Sequence, residues 1–173
     1  MANLMGVDSL KANLTNPGRT YLWDVIVPIP VGGGDTTTFK IRAQSTQIPN
    51  VYNDAIHIDY KQTPGIELAG RKRLSHTWTC TFLESEDHLT YDALYAWCQA
   101  IVHDVDGIGV GDPLYKTDVY VALVTVAGET YQKFKLKGTW VQTIDAVDLR
   151  YADNGVITYN VTFRYDSFEH VTS

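Results

Sequence analysis

The chain has 173 residues, a net charge of −6 and a composition that is 45% hydrophobic, 12% aromatic and 20% charged. That length suffices for one domain that buries about 70% of the surface its unfolded chain exposes. The balance excludes a disordered chain and a surface built for tight phosphate binding, which needs a Lys/Arg surplus.

Residues 1–19 are polar and close on Asn16-Pro17-Gly18-Arg19, which predicts an N-terminal arm or short helix followed by a turn, ahead of a single domain over 20–173. This start lacks a basic segment leading into an apolar run, so a cytoplasmic product without a signal peptide is expected. No stretch approaches the ~18 apolar residues of a membrane-spanning helix. Residues 20–30 read as a first strand, with Pro28 and Pro30 placing its end on an edge. Gly32, Gly33 and Gly34 form a loop; without a following Lys-Ser or Lys-Thr they do not make a phosphate-binding loop.

Residues 37–45 alternate, Phe39, Ile41 and Ala43 against Lys40, Arg42 and Gln44, the period of a half-buried strand. Ile56, Ile58 and Tyr60 alternate with His57, Asp59 and Lys61. Pro64-Gly65 marks a turn. Trp78, Cys80 and Phe82 oppose Thr77, Thr79 and Thr81. Together these predict a long hairpin over about 51–83 with a basic shoulder at Arg71, Lys72 and Arg73.

The period then changes. Leu94, Trp97, Cys98 and Ile101 fall at helical spacing, predicting one amphipathic helix over about 87–103 with Asp87 as its N-cap. The glycine-rich loop from Asp104 to Pro113 lacks the glutamate of a calcium loop, because position twelve is Tyr115. Residues 119–126 and 131–141 read as strands, the second with Phe134, Leu136 and Trp140 inward and Lys133, Lys135 and Lys137 outward. After the turn Asp153-Asn154-Gly155 comes the clearest strand, residues 156–165. There Ile157, Tyr159, Val161, Phe163 and Tyr165 face the core, and Thr158, Asn160, Thr162 and Arg164 face away. The sum is a mainly β chain, an antiparallel barrel or sandwich with one packed helix and a long hairpin.

Nothing in the pattern points to catalysis, a cofactor or a metal. No histidine pair has HExxH spacing and no serine sits in a GxSxG elbow. His57 and His76 fall in the two arms of the predicted hairpin, where a surface pair is the plain reading. Cys80 and Cys98 fit no zinc or redox spacing and read as free core thiols. Arg71, Lys72 and Arg73 fit either a soluble edge or a contact with acidic groups of a partner.

Two ordered blocks resemble the tail tube proteins of contractile-tailed phages, which are related in fold to the tubes of type VI secretion and tailocins. The first is Ala69-Gly70-Arg71, Trp78-Thr79-Cys80-Thr81-Phe82, Glu86-Asp87 and the helix carrying Trp97. The second begins at Gly138-Thr139-Trp140-Val141-Gln142-Thr143-Ile144, passes the Asp153-Asn154-Gly155 turn and ends with the strand leading to Asp166. Val141 stands where that family usually has proline, and the N-terminal region is longer.

The resemblance implies a non-enzymatic subunit that forms hexameric rings, stacked inside a contractile sheath, with the long hairpin and terminal arms reaching neighbouring copies. Its implied partners are other copies of itself, the sheath protein, a baseplate tube-initiator, and the tape-measure and terminator proteins. DNA would pass through the lumen without specific binding, and the protein would reside in the virion tail. Thr77, Thr79, Thr81, Thr158, Asn160 and Thr162 are candidate lumen-facing residues, since their polar, non-basic face would not hold DNA. Arg71, Lys72 and Arg73 are candidate inter-ring contacts. The alternatives are a tube of an injection or secretion machine, a tube-initiating baseplate protein and, from another class, a carbohydrate-binding β-sandwich.

Overall fold

A computed structural model describes residues 17–31, 36–61, 63–151 and 154–171. The predicted N-terminal arm therefore lies almost wholly outside the described residues, as do the glycine loop and part of the Asp153-Asn154-Gly155 turn.

The chain order is β1 (Trp23–Ile26), α1 (Thr36–Arg42), β2 (Ala43–Thr46), β3 (Val51–Tyr60), β4 (Thr63–Leu74), β5 (Thr77–Leu83), α2 (Leu89–Ile101), α3 (Asp112–Tyr115), β6 (Thr117–Val124), β7 (Thr130–Ile144), β8 (Thr158–Arg164) and β9 (Ser167–Val171). All pairings are antiparallel. One path runs β1-β6-β7-β8-β5-β2, with β9 also on β7, and β3 and β4 form a separate two-stranded ribbon.

β7 belongs to two sheets. Its first half pairs with β6 and β9, Phe134 opposite Val121 and His170. Its last residues pair with β8, Val141 opposite Phe163. The result is a sandwich of a first sheet (β1, β6, β7, β9) and a second sheet (β7, β8, β5, β2), joined through one strand.

The joint is a glycine bulge. Gly138 has φ +63, a left-handed backbone that glycine adopts without strain. The bulge shifts the inward phase by one residue. Phe134 and Leu136 are buried before it, and Thr139 and Val141 after it. Trp140, expected inward with Phe134 and Leu136, is instead half-buried on the other side, edge-on to Tyr115 at 6.4 Å. Alternation predicts facing only while the pleat is unbroken.

The core forms between the two sheets. Phe163 touches Trp78 at 5.0 Å, Trp97 at 6.1 Å and Phe82 at 6.4 Å, so both arms of the second sheet and α2 meet on one ring. Phe82 in turn meets Phe39 edge-on at 5.4 Å. Each such side chain contributes on the order of 2–3 kcal/mol by leaving water. The indole N–H groups are satisfied: Trp97 donates to the Tyr115 carbonyl at 2.7 Å and Trp78 to the Gln47 carbonyl at 3.0 Å.

Four further expectations are revised. Residues 37–45 are not a strand: α1 runs to Arg42, burying Phe39 and leaving Ile41 77% exposed, before β2 begins. Three helices are present among the described residues, not one, with α2 at Leu89–Ile101 in place of 87–103. The hairpin ends at Leu74, because β5 turns away to pair with β2 and β8. Its tip is at Lys61, φ 52, while Pro64 and Gly65 lie within β4. β9, which no local alternation announced, continues the partner strand of β7 beyond Asp166.

Asp166 also occupies the space beside Gly138, its Oδ2 2.3 Å from where a Cβ would stand. A Gly138→Val variant incurs roughly 1–2 kcal/mol from left-handed backbone alone and must displace Asp166. Urea denaturation should show a loss of at least about 2 kcal/mol, with native-like circular dichroism below the midpoint.

Candidate assembly surfaces

The outer face of the second sheet gathers the polar residues expected from the sequence. Across β5 and β8, Thr79 stands opposite Thr162 and Thr81 opposite Asn160. Thr77 stands opposite Arg164, and Thr158 opposite Leu83, where the face ends. Sequence reading missed its width. Ser45 donates to Thr81 at 2.9 Å, Thr81 to Asn160 at 3.4 Å, and Asn160 Nδ2 to Asp145 at 2.6 Å, a chain of bonds from β2 to the end of β7. Thr143 lies opposite Thr162 and Gln142 accepts from Arg164 Nε at 2.7 Å. The polar pair Gln142-Thr143 was the signal in the sequence, but register shifts in β7 decide which way it faces.

The outer face of the first sheet is different in kind. Lys135 pairs with Asp118 at 2.8 Å, Lys137 with Glu169 at 2.6 Å and Lys40 with Asp24 at 2.9 Å, while Lys133 sits over the Tyr120 ring at 4.2 Å. Hydrogen bonding to Lys135 holds Asp118 below the usual carboxylate range, and Lys137 does the same to Glu169. One face therefore carries rows of charged groups, and the other is mainly hydroxyls and amides, with Arg164 and Asp145 as its charges.

Among the described residues the β3–β4 ribbon pairs only with itself. Ile56 stands opposite Leu68 and Ile58 opposite Ile66. All four are exposed, at 51%, 48%, 43% and 58%. On the other face His57 places Nδ1 2.6 Å from Glu67 and Nε2 2.8 Å from Asp59. His76 is elsewhere, its Nδ1 3.0 Å from the Tyr165 carbonyl, so the two histidines have separate partners. Of the basic triplet, Arg73 is engaged by Asp54 across the ribbon. Arg71 and Lys72 are exposed and form no ion pair among the described residues.

A buried polar node ties α1 to α2. Glu84, only 1% exposed in its side chain, accepts from the backbone N–H of Tyr91 at 2.8 Å and of Thr90 at 3.3 Å. It is thus the main cap of α2; of the helix's backbone N–H groups Asp87, the expected cap, accepts only that of Leu89, at 3.3 Å. Arg42 completes the node, reaching Glu84 at 3.3 Å, Thr90 Oγ1 at 2.9 Å and Asp87 at 2.6 Å. The Arg42 guanidinium and the Ser85 hydroxyl hold Asp87 well below the usual carboxylate range. This demand for a guanidinium at Glu84 explains why 37–45 coils as a helix first: a strand would send Arg42 outward.

Neither cysteine is activated. Burial pushes the Cys80 thiol up to about 12 and raises Cys98 as well, and both are unbridged. The carboxylates of the loop after α2 are spread: Asp104 accepts from Tyr95 at 3.2 Å and Asp112 from Tyr115 at 2.5 Å. Among the described residues no three histidine, cysteine or carboxylate side chains are grouped to hold a metal. No described helix is long and apolar enough to cross a membrane.

This sandwich, with one shared strand, a packed helix and a free ribbon, is the fold of tube proteins from contractile machines. The chain superposes on the tube-terminating cap of the anti-feeding prophage with a TM-score of 0.66 at 16% identity, covering 92% of this chain and 94% of that one. Against the sheath–tube complex of an extracellular contractile injection system in its extended state the TM-score is 0.63 at 15% identity, over 95% and 98%. Against Hcp1 of E. coli EAEC 042 it is 0.52 at 14%, over 87% and 91%. No curated protein sequence matches. The phage tail tube protein family model matches residues 29–171, and the chain belongs to that family as a structural tail tube subunit.

Arg42→Ala would strand Glu84 as a buried, unpaired carboxylate, a change that costs about 3–5 kcal/mol. Chemical denaturation should show that loss, and Glu84→Gln in the same background should recover part of it. The depressed Asp87 carboxyl adds an acid dependence: its contribution is complete above its unfolded pKa of about 4 and is lost as pH falls through its lower folded value. Asp87→Asn should flatten that acid limb in a pH series of thermal melts.

Proposed function

We propose that this subunit closes into rings, hexameric by resemblance to its family, and that the rings stack into the tube of a contractile phage tail through which DNA is ejected. The observation that carries this reading is the contrast between the two outer faces. A duplex in transit carries one negative charge per ≈ 1.7 Å of its axis, so a wall with a row of lysines would hold it. The nearly neutral face of Thr77, Thr79, Thr81, Thr158, Asn160 and Thr162 suits the lumen. The lysine-bearing face suits the outside.

Pairing of edge strands between copies supports ring closure, since β1, β2 and β9 are the edge strands of these sheets among the described residues. On this reading the partners are further copies, the sheath, the baseplate tube-initiator, and the tape-measure and terminator proteins; the site of action is the virion, and no catalytic step is involved. Arg71 and Lys72, free of carboxylates among the described residues, serve as the inter-ring cations, with Arg73 reserved for Asp54.

A second reading, the tube of an injection machine with another cargo, is favoured by the superposed structures, which belong to an anti-feeding prophage and an extracellular contractile injection system.

Electron microscopy of the purified protein at high concentration should show hollow rings or tubes of uniform width; a persistent monomer in purified particles as well as in solution would overturn the tube. Thr162→Arg adds one positive charge per subunit at the centre of the neutral face. Under the DNA reading, particles carrying it should look normal and contract, yet remain DNA-filled, with infectivity reduced at least tenfold. Unchanged infectivity would place that face away from DNA.

A further inference from the structure

The polar face of the β3–β4 ribbon holds an arrangement that the tube reading does not use. His57 stands directly opposite Glu67 in the ribbon's register. Its imidazole lies between two carboxylates, Nδ1 2.6 Å from Glu67 and Nε2 2.8 Å from Asp59. Gly65 leaves the ring its place: a Cβ there would stand 2.6 Å from the ring's Cε1 and 2.7 Å from its Nε2. Glycine inside a strand often marks such a close approach.

Counting donors decides what this ring must be. A carboxylate accepts hydrogen bonds and donates none, and a neutral imidazole has one N–H and one bare nitrogen. With a neutral ring, one of the two contacts would set a nitrogen lone pair against a carboxylate oxygen. Only the imidazolium, with a proton on each nitrogen, satisfies both neighbours. We propose that His57 is a proton-operated clamp of the ribbon: as imidazolium it ties β3 to β4 through Glu67 and braces Asp59, and on losing a proton it releases one of them. The inference concerns the ribbon within a single chain and does not depend on the tube reading.

The setting makes one such clamp count. β4 is the one strand partner of β3 among the described residues, and an isolated two-stranded ribbon is at best marginally stable in water. An exposed ion pair adds little to a well-packed sheet, but here it acts on a balance between closed and open strands. The ribbon's other charges are engaged differently. Lys61 lies over the Tyr60 ring at 5.4 Å, Arg73 is held by Asp54, and Arg71 and Lys72 are exposed. Among the described residues the ion pairs of Asp59 and Glu67 are those with His57, so no second cation replaces a neutral ring. The clamp is complete while the imidazolium persists. It is lost as pH rises through the range, about pH 5 to 8, in which imidazoles ordinarily shed their charge. Below that range the ribbon is fixed in register; above it the strands open more readily.

The test is amide hydrogen exchange on the full chain in dilute solution, from about pH 5.5 to about pH 8.5. The amides of β5 and β8 serve as the internal reference at each pH. Protection at Ile56, Ile58, Ile66 and Leu68 should fall about threefold against that reference, the scale of one exposed pair. The nitrogen NMR signals of the imidazole should pass from two protonated nitrogens to one over the same range. Two variants, each first checked for native circular dichroism, separate the clamp from general charge effects. His57→Gln should show weaker ribbon protection with no pH slope. In Asp59→Asn the new amide can donate to a bare Nε2 while Nδ1–H serves Glu67, so a neutral ring satisfies both neighbours and protection should persist at the high end. A flat profile in the unaltered protein would overturn the proposal, as would an equal slope in His57→Gln. Loss of protection in Asp59→Asn as large as in the unaltered chain would overturn the donor count on which it stands.

Discussion

One strand has to serve two sheets, and that constraint organises the molecule. β7 pairs with β6 and β9 in its first half and with β8 in its second. A regular strand cannot keep its apolar side chains in one core while it crosses a corner. The bulge at Gly138 resolves this by moving the inward phase one residue along, so Phe134, Leu136, Thr139 and Val141 all point into the same interior. Asp166 fills the space a side chain at 138 would need, and its carboxylate also meets Lys116 at 3.1 Å. The corner is thus set by backbone conformation and close approach together.

From that corner the two outer faces diverge. The first sheet places lysines beside acids and Tyr120, where each charge is answered locally. The second presents hydroxyls and amides linked by side-chain bonds across four strands. Exposed ion pairs add little to stability, so the difference matters for what each face meets rather than for folding. A subunit with one neutral wall, open strand edges and an uncovered apolar ribbon is suited to assembly, and those surfaces are the ones a monomer would be expected to hide.

The node of Arg42, Glu84, Asp87 and Thr90 shows how tertiary demand overrides local pattern. Residues 37–45 alternate cleanly, yet the buried Glu84 carboxylate at the start of α2 draws in a guanidinium from a segment more than forty residues earlier in the chain. Coiling α1 delivers both Phe39 to the core and Arg42 to that carboxylate. The ribbon makes the converse point. Its alternation in Ile56 and Ile58 is real, but both faces are exposed in the single chain. Period two reports a face meant for burial without saying which molecule buries it.

The sequence alone determined the fold class, the strands around Trp78 and Phe163, the helix carrying Trp97, and the polar residues of β5 and β8, because each rests on an unbroken local period that burial then obeyed. Its ordered blocks also pointed to the tail tube family, which the family model bears out. Tertiary structure decided the rest. It set the outward turn of Trp140, the helical form of α1, the end of the hairpin at Leu74, the pairing of β9 with β7, and the union of Glu84 with Arg42. Those depend on a single left-handed glycine, on pairings between distant segments and on one buried charge seeking its partner, and none of these leaves a periodic trace in the chain.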